Sequence, residues 1–269
     1  MGEIAIGIVG GAGRMGRMLA VEVAASEGCR LAGGTEAPGH PALGTDIGSL
    51  AGIGEIGVHL GADAGALFAA SDAVLDFTTP AASVVNAGLA AEAGTALVIG
   101  TTGLDEAQAA AVRRAAERAP IVWAPNMSLA TNLLFALTER VAAALDADYD
   151  IEIVEAHHRH KVDAPSGTAL ALGAAAARGR GVDLETRSVR GRDGASGPRR
   201  RGDIGFAALR GGNITGEHTV LFAGEGERLE LTHRASSRRI YARGAIRAAR
   251  WLADRPPGLY AMNDVLGLK

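Results

Sequence analysis

A six-residue apolar run, Ile4-Ala5-Ile6-Gly7-Ile8-Val9, leads straight into Gly10-Gly11-Ala12-Gly13-Arg14-Met15-Gly16 and then into a segment carrying Leu19, Val21 and Val23. This junction restricts the fold more than any other part of the chain. A short apolar run is a buried strand, and the glycines behind it let the chain turn sharply into a helix. Gly11, Gly13 and Gly16 form Gly-x-Gly-x-x-Gly: one glycine for a tight turn, one for close approach of a pyrophosphate, one for helix–strand packing. In a chain with 38 glycines the pattern is weak alone. Its setting strengthens it. A strand precedes it, a helix follows, and a second strand over residues 30–35 ends at Glu36, about 20 residues on, where an acid bonds a ribose hydroxyl. A glycine-rich turn with no ligand is the plainer alternative.

The alternation continues. Residues 73–77, 96–99 and 121–123 read as strands, and residues 81–93 and 105–118 as helices. Such alternation builds a parallel sheet with helices on both faces. Two loops, Gly100-Thr101-Thr102-Gly103 and Ala124-Pro125-Asn126-Met127, leave the carboxyl ends of strands, the edge where open α/β sheets bind ligands. The pattern then changes. A helix over 128–145 leads to a strand over 149–155. Residues 179–202 read as a loop-rich excursion. Residues 204–209, 218–222 and 228–233 read as strands with no helix between them. A helix over 238–252, with Ile240, Gly244, Ile246 and Trp251 on one side, returns to cover the first sheet. The expected fold is α/β: a Rossmann-type doubly wound parallel sheet from residues 1–127 plus 239–269, which binds dinucleotide. Residues 128–238 form a second α+β domain on a largely antiparallel or mixed sheet.

The most unusual stretch is Glu155-Ala-His-His-Arg-His-Lys-Val-Asp-Ala-Pro-Ser-Gly-Thr-Ala-Leu170. It holds three of the seven histidines, and Lys161 is one of two lysines in a chain with 27 Lys plus Arg. Arginine does not release its proton in a protein and lysine does, so Lys161 beside His157, His158 and His160 points to proton transfer. Ser166 is placed to cap a helix through the alanine-rich run that follows. Gly167 leaves room at the backbone, and a helix start binds anions. An ordinary helix cap reads the same residues without a ligand.

Composition narrows the function classes. The formal net charge of −3 carries no footprint for nucleic acid. The run Arg199-Arg200-Arg201 sits in a glycine-rich loop and reads as solvated. One cysteine, Cys29, allows no internal disulfide and no cysteine-based metal cluster. Residues 1–10 lead into a strand rather than a signal peptide, and no apolar run is long and charge-free enough to span a membrane. The expectation is a cytoplasmic protein with neither nucleic-acid nor membrane partners.

These residues resemble those of the 4-hydroxy-tetrahydrodipicolinate reductase (dihydrodipicolinate reductase) family. The likeness rests on Gly13-Arg-Met-Gly16, Asp76-Phe77-Thr78, Gly100–Gly103, Glu152–Leu170, Gly205-Phe206, Gly216-Glu-His-Thr219 and Arg234-Ala-Ser-Ser-Arg238. The resemblance implies hydride transfer from NADH or NADPH to a cyclic imine-type dicarboxylate in diaminopimelate and lysine biosynthesis, by a homotetramer assembled through the second domain. It implies His157 as proton donor or acceptor and Lys161 as proton donor. It implies His158, Gly167 and Thr168 as substrate-binding residues. It implies Gly10, Gly11, Ala12, Gly13, Arg14, Met15, Glu36, Gly100, Thr101, Thr102, Ala124, Pro125, Asn126 and Met127 as cofactor-binding residues.

The chemistry agrees. Reducing a conjugated imine needs hydride at carbon and a proton from a tunable group. A dianion needs cations and oriented N–H groups, available from Arg159, Lys161 and the Gly167–Thr168 helix start. Positive neighbours are expected to favour neutral Lys161 until a dicarboxylate binds. His160 is expected to be a structural hydrogen-bonding group. No metal is expected: His157-x-x-His160 has ligand spacing, but Arg159 and Lys161 put positive charge in the cluster. Two other readings remain: a nucleotide-sensing regulator that does no chemistry, and an oxidoreductase for a related amino dicarboxylate. Glu36 suits the ribose hydroxyls of NADH and repels a 2′-phosphate. Ala37 and Thr79 stand where the family often places basic residues, leaving Arg14 as a phosphate partner. NADH is therefore expected to serve at least as well as NADPH.

Overall fold

The computed structural model describes residues 2–268. The chain opens with β1 (Ile4–Val9), α1 (Arg14–Ala24), β2 (Cys29–Thr35), α2 (Ile47–Ala51), β3 (Leu60–Gly61), α3 (Ala64–Ala69), β4 (Ala73–Asp76), α4 (Pro80–Ala93), β5 (Ala96–Ile99), α5 (Glu106–Ala115) and β6 (Pro120–Trp123). It continues through α6 (Leu129–Ala144), β7 (Asp150–His157), α7 (Gly167–Arg180), α8 (Leu184–Arg187), β8 (Ser188–Val189), β9 (Ile204–Arg210), β10 (Gly216–Ala223) and β11 (Arg228–Ala235). It closes with α9 (Arg239–Leu252), β12 (Gly258–Tyr260) and α10 (Met262–Leu266). Two compact units result. One runs to Ser128 and takes in Arg239–Gly267; the other is Leu129–Arg238.

In the first unit the described strands form one sheet in the order β12-β6-β5-β4-β1-β2-β3. Every pairing is parallel. Parallel neighbours need crossovers, and helices on the sheet faces supply them. This is why β4 and β5 are buried along their whole length and read as apolar runs, broken only by Asp76 at the end of β4. Val9, Val74, Leu97, Ile99 and Ile121 from the strands meet Phe68, Ala87, Ala90 and Val112 from the helices in one core. Strand order reverses between β1 and β4, the switch point at which ligands lodge in such sheets.

The segment between β2 and β4 carries little periodicity, and one residue organises it. The buried Asp46 carboxylate accepts the N–H groups of Ser49, Ile56, Gly57 and Val58, and these bonds hold its pKa below the ordinary value. Helix α9 is the returning helix that the sequence predicts, but its seam is made of small residues. Ala242, Gly244, Ala245, Ile246, Ala248, Ala249 and Leu252 are buried, while Ile240 and Trp251 are half-buried. Close approach explains the choice: a Cβ at Gly244 would lie 1.7 Å from the Met127 carbonyl oxygen.

The second unit has a mixed sheet in the order β11-β10-β7-β9-β8. β11–β10 and β10–β7 are antiparallel; β7–β9 and β9–β8 are parallel. Parallel pairing arises because the chain travels through α7 between β7 and β9. Ile151, Ile153, Ile204, Phe206, Val220 and Phe222 on one sheet face pack against Leu134, Ala142, Ala169, Leu172, Ala176 and Ala177 from α6 and α7. The stretch read as an excursion over 179–202 is more ordered than expected: it holds the last turn of α7, the short α8, and edge strand β8. Among the described residues no helix is long and apolar enough to cross a membrane.

Candidate active site

In the first unit the predicted cofactor residues gather at the carboxyl edge of the sheet, on the loops after β1, β2, β5 and β6. The tight turn belongs to Gly10, whose φ is 71°, one residue before the motif begins. Gly10 and Gly11 both donate N–H to the Thr35 carbonyl, at 2.8 and 3.0 Å. Gly11 is small for the core rather than for a ligand: a Cβ there would sit 2.6 Å from Leu60 Cδ2. Gly16 lets α1 close onto the turn, since a Cβ would lie 2.2 Å from the Gly10 carbonyl oxygen. Gly13 is the N-cap of α1 and offers no side chain to the helix N–H groups; its own N–H goes to the Gly10 carbonyl at 3.1 Å, so Arg14 and Met15, behind Ala12 and Gly13, present the helix start suited to an anion. Glu36 Oε1 accepts the Ala12 N–H at 2.8 Å. The residues present fit a dinucleotide.

Sequence reasoning missed the buttress of this edge. Asp76 is fully buried at the end of β4. Its carboxylate accepts from Thr78 N and Oγ1 at 2.9 and 2.6 Å, Asn86 Nδ2 at 3.0 Å and Thr101 Oγ1 at 3.3 Å. It ties the loops after β4 and β5 together, with Gly100 and Thr102 flanking the bonded threonine. Phe77 covers Gly100, where a Cβ would meet the ring at 2.2 Å. A carboxylate at the end of an otherwise apolar strand is the signal that could have revealed it, because such groups are rarely buried unpaired. After β6, Ala124 donates to the Ile99 carbonyl at 3.1 Å and Asn126 Oδ1 accepts from Ser128 N–H at 2.9 Å, which sets the path of Pro125 and Met127.

In the second unit the histidine stretch leaves the end of β7 and returns to the start of α7. His157 is the last residue of β7 and is buried. Its Nδ1 lies 2.6 Å from Glu155 Oε2. Glu155 is 1% exposed and also accepts both Arg210 terminal nitrogens at 2.7 Å and the Ser166 N–H at 3.1 Å. Burial alone raises the Glu155 pKa; the bonds from Arg210, His157 and Ser166 outweigh it and hold the carboxyl below its ordinary value. Burial lowers His157, with Lys161 and Arg210 adding to it, and Glu155 only partly offsets the effect. His218 stacks edge-on against His157, with ring centroids 5.1 Å apart. Burial pushes its pKa down to about 4, His157 adding to the effect.

Ser166 is the N-cap of α7, accepting the Ala169 N–H at 3.2 Å as the spacing predicts, and its Oγ also meets His218 Nε2 at 3.1 Å. Gly167 is exposed with open space where a Cβ would point, so the helix start is reachable at Gly167 and Thr168. Two expectations change. Lys161 faces a carboxylate rather than only positive neighbours: its Nζ donates to Asp163 Oδ1 at 2.8 Å. His160 is exposed, its ring 6.3 Å from that of His158 rather than in a buried hydrogen bond. His157 and His160 thus have different surroundings despite their ligand-like spacing.

Comparison with known proteins gives the same picture along the whole chain. Residues 4–127 match the family model described as Dihydrodipicolinate reductase, N-terminus, and residues 130–266 match Dihydrodipicolinate reductase, C-terminus. The 4-hydroxy-tetrahydrodipicolinate reductase of Dinoroseobacter shibae is 60% identical over 261 residues, covering 97% of each chain. The enzyme of that name from Rhodopseudomonas palustris (strain BisB5) is 54% identical over 268 residues, covering 100% of this chain and 99% of its own. Among solved structures, dipicolinate-bound dihydrodipicolinate reductase from Paenisporosarcina sp. TG-14 superposes with a TM-score of 0.77 at 25% identity, covering 96% of this chain and 97% of that one.

Proposed function

The chain belongs to the dihydrodipicolinate reductase family, and from that premise we propose how its residues divide the work. It is a nicotinamide-dependent oxidoreductase that reduces 4-hydroxy-tetrahydrodipicolinate in lysine and diaminopimelate biosynthesis. Replacing a ring hydroxyl by hydride releases water and consumes one proton, so the site must hold a dianion and manage that proton.

Residues 1–127 with 239–269 bind the dinucleotide, and the cofactor supplies the hydride. The uncapped start of α1 takes its pyrophosphate. Glu36 takes the adenosine ribose hydroxyls, which favours NADH at least as much as NADPH. Gly100, Thr101, Thr102 and Ala124–Met127 border the nicotinamide end, on loops braced by Asp76.

Residues 128–238 bind the substrate. The N–H groups of Gly167 and Thr168 hold one carboxylate, with His158 and Lys161 beside it. Lys161 delivers the proton, and His157 takes part in proton transfer. The observation that carries this reading is the buried Glu155–His157 pair bonded to the same Ser166 that caps the anion-binding helix.

The sheet face turned away from α6 and α7 carries Val154, Ala207, Leu209 and Leu221, and Leu209 is 58% exposed. This exposed apolar face supports assembly with other copies of the chain as a homotetramer. A nicotinamide-dependent biosynthetic step fits a cytoplasmic location.

The test is direct. NADH and NADPH oxidation is followed with freshly generated product of dihydrodipicolinate synthase as substrate. Turnover supports the reading. Stoichiometric nucleotide binding without oxidation points instead to a nucleotide-sensing regulator.

A further inference from the structure

Glu155 makes more connections than a paired carboxylate needs. It is buried to 1% exposure, and four donors converge on it: Arg210 Nη1 and Nη2, the Ser166 N–H and the Nδ1 side of His157. An ionised carboxylate only accepts hydrogen bonds, and the arginine fork keeps this one ionised. The nitrogen facing it must therefore carry a proton. In neutral His157 that places hydrogen on Nδ1 and leaves Nε2 as the proton-accepting nitrogen. Around the ring stand Glu155 from its own strand, Arg210 from the end of β9, His218 from β10 and Lys161 from the following loop. Arg210 and Lys161 offer only donors, and His218 meets the ring edge-on with its Nε2 engaged by Ser166 Oγ.

Two further observations point the same way. A Cβ at Gly216 would lie 3.0 Å from His157 Nε2 and 3.3 Å from Cδ2, so the glycine keeps the accepting nitrogen uncovered. Arg210 also donates to the Asp163 carbonyl at 2.6 Å, while Asp163 holds Lys161 at 2.8 Å. One carboxylate thus orients His157, anchors the cap of α7, and through Arg210 sets the loop that carries Lys161.

We infer that Glu155, clamped by Arg210, is the positioning residue of the substrate site, holding His157 in the Nδ1–H tautomer so that its Nε2 accepts a proton while Lys161 serves as the donor. The inference rests on His157 taking part in proton transfer. It adds the direction of that transfer and the residue that sets it. No bond to Glu155 forms or breaks. Nε2 takes the substrate proton on the carbon beside the imine as Lys161 protonates the departing hydroxyl. The imidazolium, whose charge Glu155 balances, returns that proton to the substrate ring once hydride has been added, so that one proton is consumed overall.

The ring can be read without any substitution. Nitrogen-15 NMR of the intact protein at neutral pH should show a protonated Nδ1 and an unprotonated Nε2 for His157, assigned by loss of the signals in His157→Gln. An Nε2–H tautomer overturns the inference. Glu155→Gln keeps the side-chain volume and should lower kcat on the order of a hundredfold, as orienting partners of histidines do. Folding is checked by dipicolinate binding. In a His157→Gln background the same change should cost less than about threefold, because residues that act as a unit are not additive. Equal losses in both backgrounds would show that Glu155 acts only on the fold, and would overturn the inference. Gly216→Ala, which crowds Nε2 without touching Glu155, should lower kcat more than it weakens dipicolinate binding; unchanged kcat counts against an exposed accepting nitrogen. A near-native His157→Gln enzyme is a separate result: it removes the proton role of His157 itself, whatever the tautomer.

Discussion

Glu36 Oε1 accepts the Ala12 N–H at 2.8 Å, which fastens the acid after β2 to the glycine turn after β1. The carboxylate is thereby fixed beside the helix start proposed to take a pyrophosphate, where it would meet a ribose hydroxyl without reorganising. A 2′-phosphate in the same place brings negative charge against negative charge. NADH should therefore have a kcat/KM at least equal to that of NADPH. Glu36→Ala should move the ratio toward NADPH. A preference for NADPH of about tenfold or more in the unaltered enzyme contradicts the assignment, since specificity at this position rests on the repulsive element.

Lys161 is held by Asp163 at the end of a loop whose other fixed point is Arg210. Lys161→Arg keeps a cation and removes a readily transferred proton. Turnover should fall by about 100- to 10,000-fold, as for loss of a general acid, while pyridine-2,6-dicarboxylate still binds. Steady-state kinetics and calorimetry on the one variant separate these. Near-native turnover would mean that lysine supplies charge alone.

Thr168 lies in the first turn of α7 behind the Ser166 cap. Proline is tolerated in a first helical turn but has no N–H. Thr168→Pro should weaken dipicolinate binding by about 10- to 100-fold, the value of one hydrogen bond to a charged group, and kcat at saturating substrate should change less. Unaltered inhibitor affinity places the carboxylate elsewhere.

His218 couples the site to pH. Its pKa is pushed down to about 4 in the fold, against about 6.5 unfolded. Below 6.5 the unfolded chain takes up the proton first, so stability is full above that value and declines as pH falls toward 4. The full difference is about 3 kcal/mol. His157 and His233 are lowered by burial and act in the same direction. Tm measured from pH 7.5 down to 5 should fall, and His218→Gln should flatten part of that slope. An unchanged slope means that His218 is not the sensitive group.

Leu209 is 58% exposed on a sheet face whose reverse is fully packed. Leu209→Glu should shift the mass seen by light scattering from tetramer toward smaller species. A monomer in the unaltered protein removes the basis for this.

Local chemistry is legible in the residues themselves. The run Ile4–Val9, the Gly10–Gly16 turn and the cap at Ser166 are decided by neighbours within a few residues, so strand, turn and helix start can be read directly. Helix α9 is legible as a helix but not as a seam. Its buried face uses alanine and glycine because the backbone at Met127 comes close, and such closeness has no periodic signature. Asp46 is invisible for the same reason: its importance lies in N–H groups up to 12 residues away.

The site divides along that line. Residue type and spacing, by themselves, determined that a lysine and histidines precede a capped helix, and that glycines open a dinucleotide-type turn ending at Glu36. Only the tertiary structure decided which groups those side chains answer to. Arg210 lies 55 residues from Glu155 along the chain and His218 lies 52 residues from Ser166; the pairing of β7 with β9 and with β10 brings them together. Partners that distant are set by sheet register, which depends on the whole buried face rather than on any short stretch. The tautomer inferred for His157 follows from those partners, whereas Asp163, which faces Lys161, is a near neighbour in sequence whose backbone Arg210 holds.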